Sequence, residues 1–121
     1  MAIQIKRIYN PFEQSDGVRL LVDRLWPRGI SKEKARLDGW VKELAPSSDL
    51  RTWFGHEAEK FDEFSVRYQE ELDTSAEAQE EVQEVLRQSE DNTVTLLYGA
   101  KDPQINHAVI LKSYIESKAK N

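Results

Sequence analysis

The stretch from Val18 to Lys32, VRLLVDRLWPRGISK, decides how the rest of the chain is interpreted. Its apolar first part, residues 18–22, predicts a buried strand. An acid, two arginines and a tryptophan follow, and the chain then turns through Pro27 and Gly29. In α/β proteins, ligands usually bind where the strands end, at the carboxyl edge of the sheet. The loop after this strand is therefore the first candidate site.

Two interpretations of this loop are open. Arg24 and Arg28 can offer planar guanidinium groups to a phosphate or carboxylate, and Trp26 can stack on a ligand or cover it. Alternatively, both arginines pair with nearby acids such as Asp23 and Glu33, while Trp26 fills the core.

Length and composition indicate one globular domain spanning residues 1–121. A chain of this size can bury roughly two-thirds of its unfolded surface, and 39% of its residues are hydrophobic and 32% charged. No apolar run approaches the roughly 20 residues that a membrane helix needs. The first residues resemble a strand rather than a signal peptide, so we expect a cytoplasmic protein without a membrane partner. Without cysteine, the chain has no disulfide, thiolate metal ligand or cysteine nucleophile.

Charge is distributed unevenly along the chain. Residues 1–36 hold eight Lys or Arg against four Asp or Glu, whereas residues 57–91 hold three against thirteen. An acidic flank disfavours non-specific binding to a nucleic-acid backbone, because that affinity depends on neutralising phosphates. The pattern favours a small anionic molecule as partner over a nucleic-acid duplex.

The first half of the chain alternates short strands and helices. Residues 3–8 and 18–22 predict strands separated by a loop, and Ser31 is expected to cap a short helix that runs to about residue 36. Residues 37–44 fit a strand or a helix, and we favour a strand. Ser47 to Asp49 cap a short helix over residues 50–54, which Gly55 ends in the left-handed conformation.

The second half is more regular. Phe61, Phe64, Tyr68 and Leu72 fall at helical spacing and predict a helix of about four turns. The spacing from Thr74 to Glu77 is that of a capping box, which begins a helix with Val82, Val85 and Leu86 towards the core.

Residues 93–98 are β-rich and lie between helices, as a central parallel strand would. Asp102 as N-cap and Pro103 at the first helical position predict the last helix. Its expected inner face carries Ile105, Ala108, Val109, Lys112 and Ile115. The order of elements predicts a single-domain layered α/β fold with a small, largely parallel sheet flanked by helices, in which the loops after strands two and four meet.

The loop after the predicted fourth strand is the second candidate site. A helix N-terminus attracts anions through its free N–H groups and its dipole, and Lys101 adds a full charge. If the two loops converge, Arg24, Arg28 and Lys101 surround one pocket. The turn lacks the glycine spacing of nucleotide-binding loops, and a plain strand-to-helix connection is the alternative.

Two histidines are the natural candidates for proton transfer near neutral pH. His107, placed in the second turn of the last helix, is the candidate general acid or base, with Asp23 or Asp38 to orient it. His56 is interpreted as a helix C-cap. Neither histidine has the spacing of a metal site, so no metal is predicted, and no cofactor is indicated. The predicted site therefore comprises catalytic His107 and Asp23, with ligand-binding Arg24, Trp26, Arg28, Lys32, Tyr98, Lys101 and Asn106.

Three functions are compatible with this site. The first is a pocket for a small phosphorylated or carboxylated molecule, with or without catalysis by His107. The second is a non-catalytic regulatory or binding module for a macromolecule such as single-stranded nucleic acid, with Trp26 as a stacking platform. In the third, the arginines form internal ion pairs and nothing is bound. Trp40 and Trp53 are expected in the core.

Four blocks in order along nearly the whole chain resemble the YeaO-like branch of the family called domain of unknown function 488. They are DRLWPRG at 23–29, ELAPS at 43–47, WFGH at 53–56 and LYGAKD at 97–102. The resemblance implies a bacterial, cytoplasmic α/β protein of a family without an established activity. Other branches carry a cysteine after the last strand and a Cys-His-Arg run in the next helix. The matching positions here are Gly99 and Asn106-His107-Ala108, so the histidine is kept and the thiols are not.

Overall fold

A computed structural model describes residues 2–119 of the chain. The strands are β1 (Ala2–Arg7), β2 (Val18–Leu21), β3 (Gly39–Trp40) and β4 (Thr93–Tyr98). The helices are α1 (Lys32–Ala35), α2 (Ser48–Phe54), α3 (Phe61–Thr74), α4 (Ala76–Asp91) and α5 (His107–Lys118). Short 3-10 turns lie at Gln14–Asp16, Lys42–Leu44 and Ala58–Lys60.

The four strands form one parallel sheet in the order β1-β4-β2-β3. The most central long strand is β4, which pairs along its whole length with β1 and, through Val94 to Leu97, with β2. Val94 to Tyr98 are all buried, as a strand covered on both faces must be. The predicted α/β fold with a parallel sheet is confirmed.

Different elements pack on the two faces of the sheet. Leu20 and Leu96 point into the main core, which α2, α3, α4 and α5 complete. On the opposite face, Leu21 and Leu97 belong to a smaller cluster with Ala35 of α1. Strand side chains alternate between faces, so neighbouring leucines serve different cores. The thin side is closed mainly by loop residues, including Trp26 and Ile30, and by Trp40 of β3.

A buried charge network anchors the loop before β2. Asp16 and Arg19, exposed by only 2% and 1%, form an ion pair, and Lys6 adds a second ion pair to Asp16 at 3.0 Å. Arg19 also donates to the carbonyl oxygens of Ala35 and Arg36. Each buried charge thus has partners, which removes the large cost of leaving it alone.

Serine caps begin most of the helices. Ser31, Ser47 and Ser75 each accept a hydrogen bond from the N–H group three residues ahead. The first two caps were predicted. The third corrects the predicted box at Thr74, because α3 continues through Thr74 and the extended residue before α4 is Ser75. Of the predicted inner residues of α3, Phe64, Tyr68 and Leu72 are buried, and Phe61 is half-buried.

The last helix begins later than predicted. Asp102 accepts from the N–H groups of Gln104 and Ile105, so it caps a tight turn, and Asn106 is the N-cap of α5. His107 is consequently the first residue of the helix, not a residue of its second turn. The buried face of α5 also differs from the predicted one: Ala108, Ile110, Leu111, Tyr114 and Ile115 are buried, while Val109 and Lys112 are only half-buried.

The ambiguous segment 37–44 is a strand only at Gly39–Trp40 and turns at once into a 3-10 turn. The strand interpretation is therefore right for residues 39–40 and wrong for the other six residues of the segment. Within residues 2–119, no helix is both long enough and apolar enough to cross a bilayer.

Candidate functional site

The loops after β2 and β4 meet at the carboxyl edge of the sheet, as predicted. The main-chain N–H of Gly99 donates to Oδ2 of Asp23 over 2.8 Å. Beside this contact lies a cavity of about 230 Å³. Its apolar walls include Leu25, Trp26, Pro27, Pro46, Phe54 and Phe64, and its polar lining comes from Asp23, Arg24, Arg51, His56, Asn106 and His107.

Asp23 and His107 form the floor of this cavity. Nε2 of His107 lies 2.9 Å from the carbonyl oxygen of Val22. A carbonyl oxygen only accepts, so Nε2 carries the hydrogen, and the neutral ring keeps Nδ1 as its acceptor. Oδ1 of Asp23 lies 3.3 Å from the same Nε2 but has no hydrogen-bond partner in residues 2–119.

Burial controls the protonation of this pair. Burial lowers the pKa of His107, an effect opposed by the charge of Asp23 and by the hydrogen bond to Val22. Burial raises the pKa of Asp23, and this is opposed by His107, by the Gly99 N–H and by Arg51. Both shifts favour the uncharged form, as expected for groups largely withdrawn from water.

Arg24 lines the cavity but uses its guanidinium on the main chain. Nε donates to the carbonyl of Pro46 over 3.1 Å and Nη2 to that of Ala45 over 3.3 Å. No ion pair of Arg24 with an acid is present in the described chain, in contrast to the internal-pair interpretation. Arg24 therefore builds the wall of the cavity.

The same wall is held from its other side by α3. The hydroxyl of Tyr68 donates to the carbonyl of Leu44, and Glu71 accepts from the N–H of Ser47 over 2.8 Å and from its hydroxyl over 2.5 Å. Together with Arg24, these side chains bind polar groups of four consecutive residues, Leu44 to Ser47. Residues 44–47 of the ELAPS block are thus held in place by side-chain hydrogen bonds.

Arg51 and His56 stand at the rim. Both are exposed and both line the cavity. Gly55, with φ 54°, is the C-cap of α2, and His56 follows in the same left-handed region with φ 60°. The predicted role of His56 as C-cap is therefore wrong by one residue. Arg51 was not predicted, because only the packing of α2 against α3 and the core brings it to this edge.

Two further predicted residues lie at the cavity with structural partners. Trp26 donates from Nε1 to the carbonyl of Ile30 over 2.6 Å and packs edge-on against Trp40 with 5.3 Å between ring centroids. Asn106, 1% exposed, caps α5 and donates to the carbonyl of Asp102.

Four predicted ligand-binding residues do not line the cavity. Arg28 and Lys101 are exposed outside it, and Tyr98 is buried in the core. Lys32 borders a separate groove beside Trp40.

The remaining candidates from the sequence also lie elsewhere or are less buried than expected. Asp38, the other suggested orienting acid, accepts from the N–H of Arg19, away from His107. Trp53 is only half-buried, with the guanidinium of Arg67 over its ring. In the part of the chain from 2 to 119, no group of three or more His, Asp or Glu side chains is placed to hold a metal ion.

Comparison with known proteins agrees with the resemblance seen in the sequence. The family described as the inactive DUF488-N3 subclade matches residues 2–121. The uncharacterised protein YeaO of Escherichia coli K12 is 44% identical over 117 residues, covering 97% of this chain and 99% of that protein. Uncharacterised proteins of Mycobacterium bovis and Mycobacterium tuberculosis are each 39% identical over 116 residues, covering 96% of this chain and 95% of theirs. No solved structure is significantly similar.

Proposed function

The chain belongs to the inactive DUF488-N3 subclade, and on that premise we propose that its cavity binds a small organic anion without transforming it. The observation that carries this proposal is the combination of apolar walls with Arg51 and His56 at the rim. Small-molecule sites typically have this composition, with apolar walls and a few polar groups that orient the ligand.

Arg51 is the residue we assign to the anionic group. Its guanidinium forms no hydrogen bond or ion pair with another side chain of residues 2–119, whereas Arg24 is occupied by the main chain. A free guanidinium can bind a carboxylate or phosphate through two parallel hydrogen bonds. His56 adds a second donor on the same rim.

The hydrogen bonds of the floor support binding without chemistry. Oδ2 of Asp23 is bonded to Gly99 and joins the two loops, and Nε2 of His107 is bonded to Val22 and joins α5 to the end of β2. The description of the subclade as inactive points the same way. We place this function in the bacterial cytoplasm, as the sequence suggests.

The cavity limits the ligand to a small molecule. Its volume of about 230 Å³ is below the roughly 300–1,000 Å³ of sites for drug-sized ligands. A short aliphatic chain or a single ring with one acidic group is of suitable size.

The experiment is a thermal-shift and NMR screen of small carboxylates and phosphates. At a hundredfold excess over its dissociation constant, a ligand stabilises the folded state by about 2.7 kcal/mol, a shift of several degrees. Arg51→Ala should weaken binding about tenfold, and Arg87→Ala, which removes an exposed arginine on α4, should have no effect. Mass spectrometry should recover the ligand unchanged. The proposal fails if nothing binds, or if Arg51→Ala binds as tightly as the wild type.

A second candidate function, acid–base catalysis, is favoured by the 3.3 Å approach of Asp23 to His107. It predicts that the recovered ligand is chemically altered by the wild type and left intact by His107→Gln. A module for single-stranded nucleic acid is the other alternative, and it predicts affinity that falls steeply as salt rises.

A further inference from the structure

Asp23, the acid on the cavity floor, has no Lys or Arg in ion-pair contact within residues 2–119. Resting on the function proposed above, we propose that the ligand is a zwitterion, whose ammonium group lies at Asp23 and whose carboxylate lies at Arg51.

The contrast between two acids of this chain supports the assignment. Asp16 is buried and has Lys6, Arg19 and a main-chain N–H as partners. Asp23 has 20% of its side chain exposed, and in residues 2–119 it has no Lys or Arg in ion-pair contact. An acid with little access to water is costly to ionise unless a cation or several donors compensate it.

The hydrogen-bonding capacity of Asp23 is also largely unused. A carboxylate can accept about four hydrogen bonds. Asp23 accepts one, from Gly99 at Oδ2. Its Oδ1 has no hydrogen-bond partner among the described residues and is itself buried, so a ligand in the cavity reaches the carboxylate from the Oδ2 side. His107 cannot fully compensate it, because its Nε2–H is directed to Val22. An ammonium group at Oδ2 would supply a compensating charge and a donor for the lone pair that Gly99 leaves free.

The arrangement of charges selects a zwitterion over a simple ion. Asp23 lies at the floor, and the exposed Arg51 and His56 lie at the rim. A simple cation would be repelled by the Arg51 guanidinium, and a simple anion would gain nothing from Asp23. A molecule with an ammonium group, an apolar body and a carboxylate complements the floor, the walls and the rim at once.

Matched ligand pairs test this directly on the wild-type protein. The probes are β-alanine, γ-aminobutyrate, δ-aminovalerate and ε-aminocaproate, each paired with the carboxylate in which a methyl group replaces the ammonium group. Affinities come from NMR titrations that follow the indole N–H signal of Trp26 and the ring signals of His107. At the best chain length, we expect the amino acid to bind about tenfold more tightly than its methyl partner.

The outcomes separate the two proposals. If the methyl partners bind as tightly as the amino acids, or more tightly, the zwitterion inference is overturned and the anion-binding proposal stands. If neither series nor any other small anion binds, both are overturned.

Asp23→Asn provides the second arm. The amide keeps an oxygen that can accept from Gly99 but carries no charge. We expect the variant to lose the preference for the amino acid and to keep its affinity for the methyl partner. The control Asp38→Asn removes an exposed acid outside the cavity and should keep the preference. A preserved preference in Asp23→Asn would overturn the assignment of the ammonium group to Asp23. If this variant does not fold, the ligand pairs on the wild type decide the question alone.

Discussion

The main-chain N–H of Gly99 donates a hydrogen bond of 2.8 Å to Oδ2 of Asp23, joining residues 76 positions apart in the sequence. Because β2 and β4 are neighbours in the parallel sheet, the ends of both strands lie at one edge. This contact joins the two loops and sets the position of the carboxylate on the cavity floor.

Gly99→Ala should disturb this contact. An added Cβ would lie 3.0 Å from Oδ2 of Asp23, so the carboxylate must move and its hydrogen bond weakens. We expect the free energy of unfolding to fall by about 1–2 kcal/mol, measured by urea denaturation. In an Asp23→Ala background, Gly99→Ala should lower the free energy of unfolding by a smaller amount. An equal loss of stability in the two backgrounds would show that the added Cβ does not conflict with Oδ2 of Asp23.

The titration of His107 should report the charge of Asp23. Burial lowers the pKa of His107 below the usual 6.5, and the charge of Asp23 acts in the opposite direction. An NMR titration of the ring protons should therefore give a midpoint below 6.5 in the wild type and a lower one in Asp23→Asn. An unchanged midpoint in the variant would mean that Asp23 is uncharged while His107 titrates.

Arg24→Ala should destabilise the fold by about 2 kcal/mol, because the carbonyl groups of Ala45 and Pro46 lose a charged donor. Arg24→Lys should recover only part of this loss, since an ammonium group cannot reproduce two parallel bonds. Arg28→Ala, at an exposed position, should change stability by less than about 0.5 kcal/mol. Equal effects of Arg24→Ala and Arg28→Ala on urea denaturation would contradict the role of Arg24 in the wall.

Asn106→Ala should lower the free energy of unfolding more than Asp102→Ala does. Asn106 is buried, caps α5 and donates to Asp102, so we expect a loss of about 1–2 kcal/mol in thermal or urea unfolding. Asp102 caps only an exposed turn. A larger loss from Asp102→Ala would indicate that the helix begins where the Asp-Pro pair predicted it.

The fold was largely predictable because its signals are local. Apolar runs mark the long strands, and the spacing of Phe64, Tyr68 and Leu72 marks the buried face of α3. The start of α5 was not predictable in this way. Asp102-Pro103 has the local chemistry of a helix start, but the helix begins at the asparagine whose side chain is buried against the core.

The site was predictable only in part, since sequence reveals side-chain chemistry more readily than side-chain direction. The meeting of the loops after β2 and β4 followed from strand order, and Asp23 and His107 were identified. Arg28 and Lys101 have suitable charges but lie outside the cavity. Arg51 belongs to α2, whose packing against α3 has no local signal in the sequence.

The position of β4 has a consequence for how the chain folds. Among residues 2–119, β4 is the last strand to be synthesised, and it is the only strand with which β1 pairs. A nascent chain that ends before residue 93 lacks the partner that β1 and most of β2 require. Contacts across so long a separation form late and slowly. Sheet formation should therefore follow release of nearly the whole chain from the ribosome, and until then the two N-terminal strands have exposed edges that chaperones can bind.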